Sequence, residues 1–197
     1  MSKKRIRFII NPKSGTGKKG HLPELIKSCI DSSIYEAEIS FTEGPRHGTL
    51  LSREAAEKNL DAVIAVGGDG SANEVAKGLM GSETALGILA TGSGNGMARH
   101  LCIPMDLRKS LKVIQTMHIE KIDTLKVNDE FCLGTIGVGF DAHVAHLFAN
   151  SPKRGYATYV KLVLSEFYKY QPLEYQLDVD GTSIVKKSFL LTFANSS

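Results

Sequence analysis

The chain has only three cysteines, no long apolar run and almost no excess of charge. Each shortage removes a class of protein. Cys29, Cys102 and Cys132 have no metal-ligand spacing and leave one thiol over in any pairing scheme, so they read as reduced, half-buried thiols of a cytoplasmic protein. No segment approaches the roughly 18 apolar residues of a membrane span, and the apolar run after Lys3, Lys4 and Arg5 is too short for a secretory signal. A formal net charge of +3, with the basic residues scattered, offers no stripe for nucleic acid. At 42% apolar and 23% charged over 197 residues, the composition is that of an ordinary soluble chain able to bury a core.

The sequence is organised around Ala62 to Ala76, where an apolar run breaks into three glycines around an aspartate and then resumes with helical spacing. Val63, Ile64 and Val66 suit a strand buried on both faces of a parallel sheet. Gly67, Gly68 and Gly70 let a ligand approach the main chain, and the helix that follows aims its free amides and positive dipole end at an anion. Asp69 is out of place there, because a carboxylate beside phosphates repels them unless a cation or a transferable proton lies between. The plainer alternative is a tight strand-to-helix turn in which Asp69 caps the amides of Ser71 or Ala72.

Arg5 to Ile10 reads as the first strand, stopping at Asn11-Pro12, and the glycine-bearing loop 11–20 leads to a helix with Leu22, Leu25, Ile26, Cys29 and Ile30 on one face. Tyr35 to Phe41 alternates as a second strand, and Gly44-Pro45 opens a helix bearing Leu50, Leu51, Ala55 and Ala56. A helix is expected over about Ala72 to Met80, a fourth strand over Thr84 to Ala90, and a glycine-rich loop, Thr91 to Gly96, before a helical pattern at Met97 to Leu101. This alternation predicts a parallel α/β sheet with ligands at the carboxyl ends of its strands. From about Ile119 the rhythm changes. Lys121–Val127 and Glu130–Val138 flank an Asn128-Asp129 turn as an antiparallel hairpin, followed by helices over about Ala142–Asn150 and Gly155–Tyr170. Tyr175–Asp180 and Ile184–Phe193 then read as strands about a turn at Gly181. The division expected is 1–120, an α/β domain, and 121–197, the beginning of a β-rich domain. Because the last strand ends the chain with its edge open, the expectation is a fragment, or a partner or second copy that covers the edge.

Two common motifs fail on context. Gly15-Thr16-Gly17-Lys18-Lys19-Gly20 has the letters of the dinucleotide fingerprint but lies too far beyond the strand end, and a P-loop is excluded by Pro12 and Lys19 at positions that require Gly and Ser or Thr. The set Asn11-Pro12-Lys13-Ser14-Gly15, Gly67 to Glu74, and Gly92-Ser93-Gly94-Asn95-Gly96-Met97-Ala98-Arg99 is far more specific. With Ile136 to Ala142, it resembles the catalytic domain of the diacylglycerol kinase superfamily, which includes bacterial soluble lipid kinases and the sphingosine and ceramide kinases. The resemblance implies a nucleotide domain like that of the NAD kinases, followed by a β-sandwich lipid-binding domain.

It also implies the parts. Asn11, Pro12, Lys13, Ser14 and Gly15 form a first phosphate loop; Thr42 contacts the nucleotide; Gly67, Gly68, Asp69, Gly70, Ser71, Ala72, Asn73 and Glu74 form the central loop; and Gly92, Ser93, Asn95 and Arg99 serve the third. ATP and Mg²⁺ are the implied cofactors, with Asp69 acting through the metal or on the acceptor hydroxyl. Phosphoryl transfer asks mainly for positioning and charge neutralisation, which is what such loops supply. Asp141 faces the lipid head group or, equally, caps a helix at Ala142. Gly96 stands where many bacterial relatives carry Asp, and the resemblance puts the family's acidic base in a region beyond Ser197, so the expectation is either that Asp69 serves as base or that the polypeptide as given is incomplete and inactive. The aromatic face of 156–170, flanked by Lys153, Arg154, Lys161 and Lys169, reads as packing between domains or as a membrane-resting face. His47 and His100 read as loop and surface residues. The expectation is therefore an ATP-dependent lipid kinase at the inner membrane face, the alternatives being an NAD kinase-like enzyme and a non-catalytic nucleotide-binding module.

Overall fold

Four strands, β1 (Lys4–Ile10), β2 (Tyr35–Phe41), β3 (Ala62–Gly67) and β4 (Ala85–Ala90), form one parallel sheet in the order β2-β1-β3-β4 in the computed structural model, which describes residues 2–15, 20–152 and 155–195. The strands are parallel because each returns through a helix: α1 (Leu22–Cys29), α2 (His47–Glu57) and α3 (Asp69–Leu79). Ile6, Phe8, Ile10, Ile64 and Val66 pack with Leu22 and Ile26 of α1 on one face, together with Leu111 of α5 (Leu107–Thr116). Ile9, Val63, Ala65 and Ile88 pack with Ala55, Ala72, Val75 and Leu79 on the other. With both faces covered, the strands are near-continuous apolar runs, as parallel strands must be.

Arg7 is the exception in β1. Buried at 5% exposure, it donates to Glu38 at 2.7 Å, approaches Glu54 of α2 at 3.5 Å and reaches the Leu51 carbonyl. A buried guanidinium survives because these acceptors take its donors.

Register brings the strand ends into line: Ile10 lies opposite both Phe41 and Val66, and Gly67 opposite Ala90. All four following loops therefore leave from one edge of the sheet. The order reverses direction about β1 and β3, so that edge holds the switch point at which open α/β sheets bind ligands.

Three expectations change. Helix α3 begins at Asp69 rather than Ala72, because Ser71 and Ala72 already donate their amides to the Gly68 carbonyl. Helix α5, preceded by Asp106, which accepts from the Lys109 amide at 2.9 Å, occupies a stretch not assigned from the sequence. The long second strand of the hairpin splits into β6 (Glu130–Cys132), paired with β5 (Leu125–Val127), and β7 (Thr135–Gly139). Leu133, between them, is buried in the core of the sheet.

The chain forms two compact units, residues 1–134 with 195–197, and residues 135–194. In the second, β7 pairs antiparallel with β10 (Leu190–Ala194), and β8 (Leu173–Val179) with β9 (Thr182–Ser188). Its helices are α6 (Phe140–Ala149) and α7 (Tyr156–Phe167). Phe140, Phe167, Tyr170 and Phe189 stack into an aromatic cluster, with Phe140 and Phe189 centroids 4.6 Å apart. The aromatic helix expected from the sequence thus packs within its own unit, although Leu164 and Tyr168 remain exposed; Lys153 and Arg154 lie outside the described residues.

Candidate active site at the carboxyl edge of the sheet

The loop after β1 is shaped by Asn11. Its side-chain oxygen accepts from the Lys13 amide at 2.9 Å, its carbonyl accepts from Ser14, and its amide group donates to Ser71 at 3.2 Å, tying this loop to the first turn of α3. Lys13 is left exposed at the edge, with Pro12 beside it. Gly15 takes a left-handed φ of 69° against the Thr91 carbonyl, where a side chain would collide. The dismissed motifs fall largely on 16–19, outside the described residues.

The second and third loops touch backbone to backbone. A Cβ on Gly92 would lie 2.5 Å from the Gly68 Cα, so only glycine fits at that crossing. Asn95 locks the third loop from within: its oxygen accepts from the Gly92 amide at 3.0 Å and its amide donates to the Gly92 carbonyl at 2.9 Å. Asn95 itself is buried and left-handed, with φ 56°, a conformation asparagine tolerates better than most residues. Ser93 and Gly94 are exposed at the tip, and Arg99 donates its Nε to the Gly94 carbonyl at 3.1 Å.

Asp69 opens α3, exposed. It does not cap Ser71 or Ala72; its Oδ1 accepts from the amide of Met97, in α4 (Gly96–His100), at 3.1 Å. Side chains placed on Gly94 and Gly96 would come within 3.2 Å of Oδ2 and 3.7 Å of Oδ1, so the two glycines keep the carboxylate open. The letters of the sequence gave no sign of the Met97 contact, because its donor is a main-chain amide.

Four residues expected at the nucleotide face are packed against or bonded to groups of the protein itself. Ala72 is buried in the sheet core. Asn73 accepts from the Leu133 amide at 2.8 Å and donates to the Phe131 carbonyl at 3.4 Å. Glu74 accepts from the amides of Arg46 and Gly48, each at 3.1 Å, and Asn95 is bound to Gly92 as described. Thr42 sits at the end of β2, its amide donating to the Ile10 carbonyl at 2.9 Å, beside the first loop. His47 accepts from the Glu43 amide through Nδ1, and His100 lines a cavity of about 230 Å³ with Met97, Lys121, Ile122, Asp123 and Asn195.

Asp141 belongs to the second unit. It lies within α6 and so is not the helix cap, a position held by Gly139; its carboxylate accepts from Thr192 at 3.2 Å. Nearby in that unit, Glu166 bonds His143 at 3.0 Å and Lys169 at 2.9 Å, and these partners, His143 first, hold its carboxyl below the ordinary value of 4.5.

No group of three His, Cys, Asp or Glu side chains that could hold a metal exists among the described residues. A magnesium ion needs only one or two carboxylates when phosphates and water complete its octahedron, and Asp69 in its glycine cradle fits that part.

The family model for the diacylglycerol kinase catalytic domain matches residues 5–127. Diacylglycerol kinases of Staphylococcus aureus, from strains bovine RF122 / ET3-1 and MRSA252, are each 36% identical over 141 residues, which is 70% of this chain and 44% of theirs. The chain thus spans less than half the length of these relatives. Two crystal structures from Bacillus anthracis str. Sterne share the fold over 98% of the chain. One, a putative diacylglycerol kinase, has a TM-score of 0.75 at 23% identity, with 65% of its length covered. The other, described as a diacylglycerol kinase, has a TM-score of 0.76 at 24% identity, with 67% covered.

Proposed function

Because the chain belongs to the diacylglycerol kinase catalytic domain family, we propose that its site transfers the terminal phosphate of ATP to the hydroxyl of a lipid of the diacylglycerol or sphingoid-base type. The observation that carries this reading is the exposed carboxylate of Asp69 at the head of α3, held by the Met97 amide and faced by Gly94 and Gly96. An anion site alone asks only for amides and a helix N-terminus. A carboxylate fixed there, with room in front of it, fits a reaction in which a metal-bound phosphate and a hydroxyl proton must both be managed.

In the proposed reaction the lipid oxygen attacks the γ-phosphorus while the bond to the β,γ-bridging oxygen breaks. ADP leaves, and the hydroxyl proton passes to a base. Mg²⁺ arriving on ATP supplies charge neutralisation, and Asp69 is the residue that would hold it or take the proton. The loop of Asn11 to Gly15, with Lys13 and Arg99, orients the phosphates. Thr42, at the end of β2, stands beside the first loop, within reach of the nucleoside. The names of the Staphylococcus aureus relatives favour diacylglycerol as acceptor. A lipid acceptor is met at a membrane surface, which we place at the cytoplasmic face; no described helix is long and apolar enough to cross the bilayer.

The test pairs binding with product. Mg-ATP at about a hundred times its dissociation constant should stabilise the chain by about 2.7 kcal/mol, and Mg-NAD should not. Phosphate from ATP should appear in material extracted into organic solvent, and Asp69→Ala should abolish that transfer. Full transfer by the variant would remove Asp69 from the mechanism, and NADP as the product would replace a lipid kinase by an NAD kinase.

A further inference from the structure

Helix α2 starts without a cap of its own. The residue before it, Arg46, is left-handed at φ 65° and makes no side-chain cap bond. The cap comes from another helix: Glu74 of α3 places Oε1 on the Arg46 amide and Oε2 on the Gly48 amide, each at 3.1 Å, and its carbonyl accepts from Thr49 Oγ1 at 2.8 Å. A carboxylate at a helix N-terminus satisfies orphan amides and meets the positive end of the dipole. The approach is close. A Cβ on Gly48 would lie 2.9 Å from Glu74 Oε2 and 3.2 Å from its Cβ.

This joint closes a loop whose other end lies at the site. Thr42 is held to β1 by its amide bond to the Ile10 carbonyl, and the Glu43 amide donates to Nδ1 of His47 at 3.0 Å. Residues 42–48 are thus tied to β1 and to α3, with an internal bond from Glu43 to His47 between the two. The tie to α3 is carried by the helix whose first residue is Asp69. Strand order places Thr42 two strands from the central glycine loop, about 10 Å at the usual strand spacing, a span that suits the nucleoside of a nucleotide whose phosphates rest on α3.

We propose that Glu74 is a positioning residue: it makes no nucleotide contact, and fixes the loop that carries Thr42 at the distance from the phosphate loop that a nucleoside requires. The inference rests on the kinase reading for the identity of the ligand and on the geometry alone for the strut. Loss of the strut weakens binding of ATP, leaves binding of a bare triphosphate unchanged, and raises KM for ATP more than it lowers kcat.

The experiment uses Glu74→Gln, which keeps shape but loses one acceptor, and Gly48→Ala, which displaces the carboxylate without altering Glu74. Hydrogen exchange of the Arg46 and Gly48 amides is measured without ligand, and binding is measured for Mg-ATP and for inorganic tripolyphosphate with Mg²⁺. Both variants should exchange faster at these amides, bind ATP about tenfold more weakly and bind tripolyphosphate as the parent does. Unchanged exchange in both variants overturns the strut whatever the chain binds. Equal loss of ATP and tripolyphosphate overturns the positioning role, since Glu74 would then act on the phosphates. A parent that binds neither ligand, with exchange altered as expected, overturns the kinase reading and with it the positioning role, and leaves only the strut.

Discussion

At Gly92 a single methyl group would press directly on the contact between two loops of the site. Gly92→Ala would place a Cβ 2.5 Å from the Gly68 Cα, 2.8 Å from Asn95 Oδ1 and 3.1 Å from the Gly68 nitrogen. Two of those three atoms are backbone, fixed by β3 and α3, so the third loop must move outward by about an ångström, the gap between 2.5 Å and the 3.4 Å at which ordinary contact begins. Overpacking of this kind costs about 1–3 kcal/mol. For a chain of this size, each kcal/mol lowers Tm by about 2–4 °C, so a cost of about 2 kcal/mol lowers it by about 4–8 °C. The displacement also draws the Met97 amide away from Asp69, so stabilisation by Mg-ATP falls well below the parent's. Gly70→Ala is the control for the melt without nucleotide only: nothing in the protein lies within 4 Å of its Cβ, and it sits on the exposed first turn of α3, where alanine favours the helix by up to about 1 kcal/mol. Thermal melts of parent and both variants, with and without Mg-ATP, read all of this. A Gly92→Ala chain that melts with the parent and keeps its response to ATP would refute the reasoning, because the two loops would then not be in contact.

Two further predictions follow from side chains already described. Asn95→Ala removes the acceptor of the Gly92 amide and the donor to its carbonyl; these partners are half-buried, so the cost is about 1 kcal/mol, and denaturant unfolding should show a lower midpoint with an unchanged slope. Glu166, whose carboxyl is held below 4.5 by His143 and Lys169, contributes stability that is present above the ordinary glutamate range and lost as pH falls through its lowered folded value. Glu166→Gln should therefore lower the melting temperature near neutrality and converge with the parent in acid, and a constant difference across that range would show that the ion pairs contribute nothing.

The parallel sheet was legible because strands buried on both faces leave continuous apolar runs, and Val63 to Val66 can hardly be anything else. The glycine loops were legible for a related reason, since they mark the strand ends. Helix α5 carries a readable signal, Asp106 followed by Leu107, Leu111 and Ile114 at helical spacing. The break in the hairpin is hidden because Glu130 to Val138 is uniformly strand-like in sequence. What interrupts it is tertiary, the burial of Leu133 and the capture of its amide by Asn73. The division of labour within Asn73, Glu74 and Asn95 was illegible for the same reason. Each answers to main-chain groups, and Asn73 and Glu74 find theirs 58 and 28 residues away.

The bond between Asp69 and the Met97 amide also sets an order in time. A chain emerging from the ribosome has both the first and second glycine loops once α3 has been made, yet the amide that aims the carboxylate lies 28 residues further on. Until β4 has docked beside β3, Asp69 has no fixed direction. A parallel strand of this kind pairs late, after its loop-closure entropy has been met. On the proposed kinase reading, a nucleotide offered to translating ribosomes would reach the first two loops before the carboxylate is directed.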